Sequence, residues 1–448
     1  MGKLFGTDGV RGVANEKLSC ELAFKMGQAG AYVLSSKVHK ARILIGRDTR
    51  ISGDMLEAAL VAGICSVGAE AIVAGVIPTS GVAYLTRDYG ADAGIVISAS
   101  HNSAEYNGIK FFSSEGKKLP DEIESRIESL ILDSPESIRL RTGIEVGRRV
   151  SALNALAEYK EFLLSTTDTN LRGLKIVLDC AHGAASTVAP RAFKELGADV
   201  VPYYNTPDGT NINDYCGSIY PEKLTQLVAE LGADMGLAFD GDADRVIAVD
   251  EHGIVVDGDQ IMAVCAIDLK ERGLLREDTL VCTVMSNLGL DIAMREHGIK
   301  TVKTNVGDRY VLEEMINGGY SLGGEQSGHI IFLDINSTGD GILTGIQLAS
   351  IIMRSSKPLS KLAAAVTILP QVLVNVHVKD EHKEHVMDDP EVKKYIKSLE
   401  KRFQGCGRVL IRPSGTEPLV RIMIEGKDKK EIEREAVEMA AIIESRLA

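Results

Sequence analysis

Three aspartates occupy alternate positions in the hexapeptide Asp240–Arg245. Side chains at alternate positions of an extended segment point to the same side, so Asp240, Asp242 and Asp244 would direct three carboxylates toward one point. Carboxylates held this close repel one another unless a cation neutralises them. Mg²⁺ suits a site of oxygen ligands that is left partly open for a phosphate. We therefore expect a magnesium site at this hexapeptide.

Two other interpretations of the same hexapeptide have to be weighed. The simplest is an acidic turn exposed to solvent. The other is a calcium-binding EF-hand, because the three aspartates match its ligand positions and Glu251 stands at the twelfth. However, Arg245 stands where an EF-hand needs glycine, and strand-like segments flank the loop where helices are required. The sequence favours the magnesium site.

A serine follows directly after an apolar segment. Residues 93–97 read Ala-Gly-Ile-Val-Ile, which is typical of a buried strand, and the polar pentapeptide Ser98–Asn102 comes next. Ligands approach the carboxyl ends of parallel strands, and a serine such as Ser100 reacts only when its surroundings activate it. Lys110 alternates with apolar neighbours and could face Ser100, although a surface lysine is the simpler alternative.

Carboxylate, hydroxyl and imidazole side chains alternate at Glu325, Ser327 and His329. Aimed at one place, these three groups would suit the hydroxyls of a sugar. Taken alone the pattern is weak, because a histidine at the start of a strand is more often structural.

A turn near the end of the chain contains the groups of a phosphate site. Arg412 could bind a phosphate dianion through two hydrogen bonds, and Arg421 could add a second charge. The turn itself supplies two hydroxyls and a free backbone N–H, from Ser414, Thr416 and Gly415. An ordinary β-turn is the alternative.

The elements that would position these loops repeat three times. Strand, helix, strand, helix, strand, loop, strand and helix follow one another over 42–132, 174–272 and 280–354. Alternating strands and helices predict an α/β fold, with three tandem similar domains whose mixed sheets are largely parallel. A smaller α+β domain follows. The predicted domains are 1–155, 156–255, 256–368 and 369–448.

Composition limits the classes of function. With 45% hydrophobic and 25% charged residues, the 448-residue chain has the composition of a soluble protein with a sizeable core. A net charge of −13 without a basic tract argues against a nucleic-acid or anionic-membrane partner. We find no apolar signal segment and no membrane-spanning run, and the seven scattered cysteines form no C-x-x-C pair. These features predict a cytoplasmic protein.

Two common catalytic motifs do not occur in the chain. It has neither the glycine-rich P-loop of nucleotide-binding proteins nor the G-x-S-x-G motif of α/β-hydrolases. An ATP-driven kinase and an α/β-hydrolase are therefore not supported.

The four loops, in this order and spread over the whole chain, resemble the motifs of the α-D-phosphohexomutase superfamily. The matching segments are Ser98–Asn102, Asp240–Arg245, Gly324–His329 and Arg412–Pro418. Three further features, Gly6–Gly12, Gln326 and Pro370–Val376, are similar to the branch that acts on glucosamine phosphates.

The resemblance implies a phosphoserine enzyme with four domains around a central cleft. Ser100 would carry the phosphoryl group, and it would hold one Mg²⁺ per chain together with the three aspartates. The expected reaction interconverts glucosamine 6-phosphate and glucosamine 1-phosphate through a 1,6-bisphosphate, with the glucosamine or glucose 1,6-bisphosphate as activator. The product would feed UDP-N-acetylglucosamine and cell-wall synthesis. The alternative is the same chemistry on glucose or mannose phosphates.

The resemblance also implies roles for other residues. Arg11, Lys110 and Arg245 would neutralise charge during transfer, while His101, Lys110 and His329 are the candidates for acid–base work. The Arg412–Pro418 loop would bind the phosphate that is not reacting, and the N-terminal domain would form a homodimer. Ser103 and Tyr106 stand where the family usually has Pro and Asp, which predicts altered rigidity of the serine loop.

A phosphatase and a sugar-phosphate sensor without catalysis are the competing functions from other classes. Water reaching a phosphoserine would give hydrolysis, which a sealed cleft prevents. A sensor has no need of a serine beside a metal.

Overall fold

The computed structural model describes residues 4–6, 9–35, 39–379, 385–403, 405–413 and 419–447. The chain divides into two units. The first comprises Met1–Met285 and Gly298–Ala365, and the second comprises Ser286–His297 and Val366–Ala448. Three sheets lie in the first unit and one lies in the second.

The first sheet has six strands in the order β1-β5-β4-β2-β3-β6. They are β1 Val10–Val13, β2 Arg42–Arg47, β3 Glu70–Val76, β4 Ala93–Ile97, β5 Tyr106–Ser113 and β6 Arg149–Ser151. Strands β2, β3, β4 and β6 are parallel, whereas β5 runs antiparallel to both β4 and β1. The helices of this part are α1 Cys20–Leu34, α2 Ser52–Ser66, α3 Thr79–Asp88 and α4 Asp121–Leu132.

The second sheet has five strands in the order β11-β10-β9-β7-β8. They are β7 Lys175–Asp179, β8 Asp199–Tyr203, β9 Met235–Phe239, β10 Val246–Asp250 and β11 Val255–Val256. Strands β7, β8 and β9 are parallel, and β10 is antiparallel to β9. The helices are α5 Ala155–Ser165, α6 Ala185–Glu195 and α7 Glu222–Leu231.

The third sheet has four strands in the order β13-β12-β14-β15. They are β12 Thr279–Thr283, β13 Lys300–Thr304, β14 Leu322–Gly324 and β15 Ile330–Phe332. Only β15 is antiparallel to its neighbour. The helices of this part of the chain are α8 Gly258–Glu271, α9 Leu288–Glu296, α10 Asp308–Gly318, α11 Gly341–Ser355 and α12 Leu359–Ala363, of which α9 belongs to the second unit.

The three sheets share one topology. In each, the fourth strand of the repeat lies antiparallel beside the third, followed by the first and the second. The polar loop between the third and fourth strands therefore has the same position in all three. These loops follow β4, β9 and β14 and contain Ser100, the three aspartates and His329 respectively. The predicted repeat and the predicted α/β fold class are confirmed.

The second unit contains an antiparallel sheet in the order β16-β18-β17. Its strands are β16 Gln371–His377, β17 Gly407–Pro413 and β18 Leu419–Gly426, and its other helices are α13 Pro390–Phe403 and α14 Lys429–Leu447. One face of the sheet and both helices bury a cluster of aliphatic side chains, among them Val420, Ile422 and Ile424 of β18. The predicted α+β domain is confirmed.

Sequence patterns identified the buried elements better than the short ones. Strand β4, with its five residues buried, has the predicted bounds, and no other predicted helix or strand boundary differs from the observed one by more than two residues. The patterns did not predict β1, β6, β11, α5 or α12. The three strands have only two to four residues and lie at the edges of their sheets, so their apolar pattern is too short to detect. No helix among the described residues is long and apolar enough to cross a membrane.

Helices α1 and α2 pack closely through two glycines. A Cβ at Gly63 would lie 2.1 Å from the carbonyl oxygen of Phe24, and one at Gly27 would lie 2.5 Å from that of Leu60. Real Cβ atoms do not approach carbonyl oxygens this closely, so any larger residue would force the helices apart. Their close contact is part of the core that supports β2 and β4.

We predict that Gly63→Ala lowers the free energy of unfolding by about 2 kcal/mol, because the added methyl group overpacks the helix contact. Urea denaturation followed by circular dichroism measures this. Ala62→Ser, on the exposed side of the same helix, is the control and should change stability by less than about 0.5 kcal/mol. A Gly63→Ala protein as stable as the native chain would contradict the packing argument.

Candidate active site

Ser100 lies in the loop after β4 and is 1% exposed. Its backbone has φ of 52°, in the left-handed region. Its Oγ donates a hydrogen bond of 2.6 Å to Oδ2 of Asp240, in the equivalent loop of the second sheet. The side chain of Ser100 is therefore already directed at the carboxylates by the packing of two loops.

The carboxylates of Asp240, Asp242 and Asp244 are buried, and one oxygen atom from each lies within 4.8 Å of the others. Ala243, between the second and third, adopts φ of 57°. Strands β9 and β10 flank the loop, and the Glu251 carboxylate accepts the backbone N–H of Ser360. An EF-hand has helices at these places, so that alternative is excluded.

Positive and polar groups surround the three carboxylates. Nζ of Lys110 lies 3.3 Å from Oδ2 of Asp242 and 3.8 Å from Oδ2 of Asp244. Lys110 is 4% exposed, so it is a buried lysine and not a surface one. Thr79, the first residue of α3, donates its hydroxyl to Oδ2 of Asp242 at 2.6 Å. The backbone N–H of Arg245 donates to Oδ1 of Asp240 at 3.1 Å.

His329 contacts the aspartates from the third loop. Its Nδ1 lies 3.6 Å from Oδ2 of Asp244, and its Nε2 accepts the backbone N–H of Gly339 at 3.2 Å. We assign the ring proton to Nδ1, since Nε2 is the acceptor. Both ring nitrogens of His329 therefore face protein groups.

Crowding of negative charge separates the acidities of the aspartates. Burial, together with the charges of Asp244 and Asp242, raises the pKa of Asp240 well above its usual range. Burial acts in the same direction on Asp244, but His329 and Lys110 outweigh it and lower the pKa of that carboxyl. Asp240 and Asp244 therefore differ in acidity because their neighbours differ.

The donor set fits a divalent cation such as Mg²⁺. Oδ1 of Asp242 and Oδ1 of Asp244 are buried, and no hydrogen-bond donor among the described residues reaches either atom. Buried carboxylate oxygens without a partner are costly, and a hard cation that prefers oxygen ligands would remove that cost. Asp240, Asp242 and Asp244 could hold it together with an oxygen at Ser100.

Arg11, His101 and Arg245 lie around the serine. Nδ1 of His101 is 3.2 Å from Oγ of Ser100. Burial, and then the charges of Arg245 and Arg11, lowers the pKa of His101 to about 4, so its imidazole is neutral at neutral pH. Arg11 lies on β1, opposite Gly108 of β5. His101 thus contacts Ser100, and the charges of Arg245 and Arg11 act on the imidazole of His101.

Two other residues of the third loop differ in exposure. Glu325 is half-buried, and its Oε1 accepts the backbone N–H of Gly307 at 3.1 Å. Ser327 is exposed. A hydroxyl at the surface and a carboxylate just behind it leave polar groups available to a ligand.

The second unit contains the two arginines expected to bind phosphate. Arg412 of β17 is directly opposite Arg421 of β18. Burial and the charge of Arg421 lower the pKa of Arg412. Like charges at opposed positions of a strand pair are unfavourable, and an anion would relieve that repulsion. Ser414, Gly415 and Thr416 lie outside the described residues.

Sequence reasoning missed three groups that hold the site in place. Thr79 contacts Asp242, while Arg50 and Asn213 donate to the backbone of the Ser100 loop. Thr79 and Arg50 follow strands β3 and β2, and polar residues just beyond parallel strands were a usable signal. Asn213 lies in an irregular segment and gave no such signal.

Models of four protein domains match the chain in order. All are described as phosphoglucomutase/phosphomannomutase domains: alpha/beta/alpha domain I at residues 2–137, domain II at 154–253, domain III at 257–368 and the C-terminal domain at 373–442.

The chain is also similar over its whole length to proteins named phosphoglucosamine mutase. It is 60% identical over 447 residues to the one from Caldanaerobacter subterraneus, with 100% of each chain covered. It is 60% identical over 448 residues to the one from Acetivibrio thermocellus, again with 100% of each covered.

Solved structures with this fold include a phosphoglucomutase/phosphomannomutase family protein from Burkholderia thailandensis. The TM-score is 0.82 at 24% identity, covering 99% of this chain and 97% of that one. The N-acetylphosphoglucosamine mutase of Aspergillus fumigatus, in complex with GlcNAc-6P and magnesium, has a TM-score of 0.68 at 17% identity, covering 99% and 96%. With the four domain models and the full-length relatives in agreement, the chain belongs to the phosphoglucosamine mutase family of the phosphoglucomutase/phosphomannomutase group.

Proposed function

We propose that this chain interconverts glucosamine 6-phosphate and glucosamine 1-phosphate through a phosphoserine at Ser100 and a 1,6-bisphosphate intermediate. The observation that carries the proposal is the contact of 2.6 Å between Oγ of Ser100 and Asp240, inside a buried cluster of three carboxylates. Full-length relatives at 60% identity named phosphoglucosamine mutase support the choice of sugar.

The phosphoryl group moves twice in this reaction. In the first step O1 of glucosamine 6-phosphate attacks the phosphorus on Ser100, so the bond from phosphorus to Oγ breaks and the 1,6-bisphosphate forms. After the intermediate has turned over, Oγ of Ser100 attacks the phosphorus at position 6 and glucosamine 1-phosphate is released. A proton leaves the attacking hydroxyl and another reaches the departing oxygen in each step.

Several residues would support these transfers. His101, whose Nδ1 lies 3.2 Å from Oγ of Ser100, and Lys110, which contacts Asp242, would be the candidates for proton exchange. His329, the third candidate, orients Asp244, since both its ring nitrogens have protein neighbours. Arg11 and Arg245 would stabilise charge on the phosphoryl oxygens.

We propose one Mg²⁺ per chain, held by Asp240, Asp242, Asp244 and the phosphoserine. When bound, the ion neutralises charge that develops on the transferring phosphoryl group. The aspartates cannot serve that purpose alone, because they add negative charge to a negative substrate.

Recognition of the sugar phosphate would be divided between two places. Glu325 and Ser327 would contact the sugar hydroxyls, whereas His329, expected in the same role, has protein groups at both ring nitrogens. The phosphate that is not reacting would bind Arg412 and Arg421 with the loop residues Ser414, Gly415 and Thr416. Because the intermediate has a phosphate at each end, one such site would serve both of its orientations.

Two alternatives are kept as outcomes of the test. Glucose or mannose phosphates are the alternative substrates, since the matching domain models are described as phosphoglucomutase/phosphomannomutase. A phosphatase is the alternative class, since water that reached the phosphoserine would release inorganic phosphate. The deciding experiment is a comparison of glucosamine, glucose and mannose 6-phosphates as substrates, with Mg²⁺ and a trace of the bisphosphate. Faster turnover of glucose or mannose phosphate would identify that sugar phosphate as the substrate. Release of inorganic phosphate would identify the protein as a phosphatase.

Further proposals concern the cellular and molecular setting. We propose that the protein acts in the cytoplasm and supplies UDP-N-acetylglucosamine for cell-wall synthesis. The four domains bounded at 155, 255 and 368, and the cleft between them, also stay predictions.

We predict that Ser100→Ala lowers the turnover of glucosamine 6-phosphate by about 10³-fold or more, because no other group can carry the phosphoryl. A coupled assay for glucosamine 1-phosphate measures this. Ser114→Ala, at an exposed serine, is the matched control and should keep its activity. Turnover that survives in Ser100→Ala would rule out the phosphoserine route.

We predict that Asp244→Asn weakens divalent-cation binding more than about tenfold, because it removes one of three anionic ligands. Electron paramagnetic resonance with Mn²⁺ as the probe gives the affinity without any substrate. Asp133→Asn, at an exposed helix end, is the control and should bind Mn²⁺ like the native protein. Equal affinities in both variants would place the cation elsewhere.

We predict a homodimer formed through the N-terminal domain, an expectation that rests on family resemblance. Sedimentation velocity at micromolar concentration should give the mass of two chains. A single species with the mass of one chain would contradict it.

A further inference from the structure

A buried arginine anchors the loop that carries Ser100. Arg50 is fully buried, and each of its five side-chain N–H groups has an acceptor. Nε donates to Asp48 at 2.8 Å. The other four N–H groups donate to backbone carbonyls: Ser100 at 2.9 Å, Asn102 at 2.8 Å, Tyr106 at 3.0 Å and Ser103.

The loop needs such an anchor. Ser100 has φ of 52°, a conformation that costs a non-glycine residue on the order of 1 kcal/mol or more. Between Ser98 and Tyr106 the sequence has no proline to restrict the backbone. Two backbone hydrogen bonds lie within the loop, from Asn102 to Ala99 and from Tyr106 to Ser103, and Arg50 adds four from outside it. A planar guanidinium can hold several carbonyls in one fixed arrangement, which an ammonium group cannot do.

Two neighbours complete the anchor. The carboxylate of Asp48 neutralises Arg50 and accepts the hydroxyl of Ser98 at 2.7 Å, and that hydroxyl accepts the backbone N–H of Ser100 at 2.9 Å. From the second domain, Nδ2 of Asn213 donates to the carbonyls of Ser100 and Asn102, both at 2.9 Å. The carbonyls of Ser100 and Asn102 thus each accept one hydrogen bond from Arg50 and one from Asn213.

We propose that Arg50 is a positioning residue for phosphoryl transfer. By fixing the backbone of residues 100–106 it keeps Oγ of Ser100 directed at Asp240, and Asn213 assists from the second domain. The proposal rests on the proposed function of Ser100. Arg50 touches no reacting atom, so it acts on the transfer step and not on the binding of the sugar phosphate.

The test compares Arg50→Lys with Arg47→Lys, a matched control in the same segment. Arg47 pairs with Glu57 and has no contact with the loop carbonyls. We expect Arg50→Lys to lower kcat by about 10²-fold, as small displacements of reacting groups do, with KM changed less than about twofold. Hydrogen exchange of the peptide containing residues 98–106 should be faster in Arg50→Lys and unchanged in Arg47→Lys.

A second, milder variant keeps the proposal testable if Arg50→Lys does not fold. Asn213→Ala removes one donor and leaves Arg50 in place, so kcat should fall about fivefold, again without a change in KM. Native kcat in Arg50→Lys, or a lower kcat with unchanged exchange of residues 98–106, would overturn the proposal. If the native protein shows no turnover that depends on Ser100, the proposed function fails, whereas the exchange measurement still decides whether Arg50 anchors the loop.

Discussion

The mutual repulsion of three buried carboxylates is the constraint on which the rest of the site depends. Burial of all three as charged carboxylates is unfavourable unless neighbouring groups compensate their negative charge. Lys110 and the neighbouring loops supply part of this compensation. Oδ1 of Asp242 and Oδ1 of Asp244 accept no hydrogen bond from a described residue and are available to a cation. The same crowding of carboxylates makes the site suitable for a divalent cation. The crowding of the carboxylates thus both destabilises the folded chain and favours the binding of a cation.

Repetition of one α/β topology explains how residues far apart in the chain meet. Each repeat places a single loop between its third and fourth strands, and the three loops contribute Ser100, three aspartates and a histidine. Contacts between loops then set the geometry. Ser100 donates to Asp240, and the backbone N–H of Val246 donates to Gly328 in the third loop at 3.1 Å. Three repeats thus form one site within the first unit.

The sequence predicted Ser100 and the three aspartates as site residues, but it did not predict the residues that hold them in place. The alternate spacing of the aspartates and the serine after β4 are local patterns, so they can be recognised in the amino-acid sequence alone. Thr79 and Arg50 serve partners elsewhere: Thr79 contacts a carboxylate 163 positions away, and Arg50 contacts carbonyls more than 50 positions away in most cases. Such contacts depend on tertiary packing, which periodicity does not encode. The phosphate-binding role of the Arg412–Pro418 loop stays a prediction, because residues 414–418 lie outside the described residues.

The most direct test of the account follows the phosphoryl group itself. Protein labelled with ³²P at Ser100 is mixed with glucosamine 6-phosphate and Mg²⁺ in a rapid-quench experiment, and the label is traced over a single turnover. We expect the label to leave the protein at least as fast as kcat. It should appear first in glucosamine 1,6-bisphosphate and then in the monophosphates. Label that stays on the protein while product accumulates, or that appears as inorganic phosphate, would contradict it.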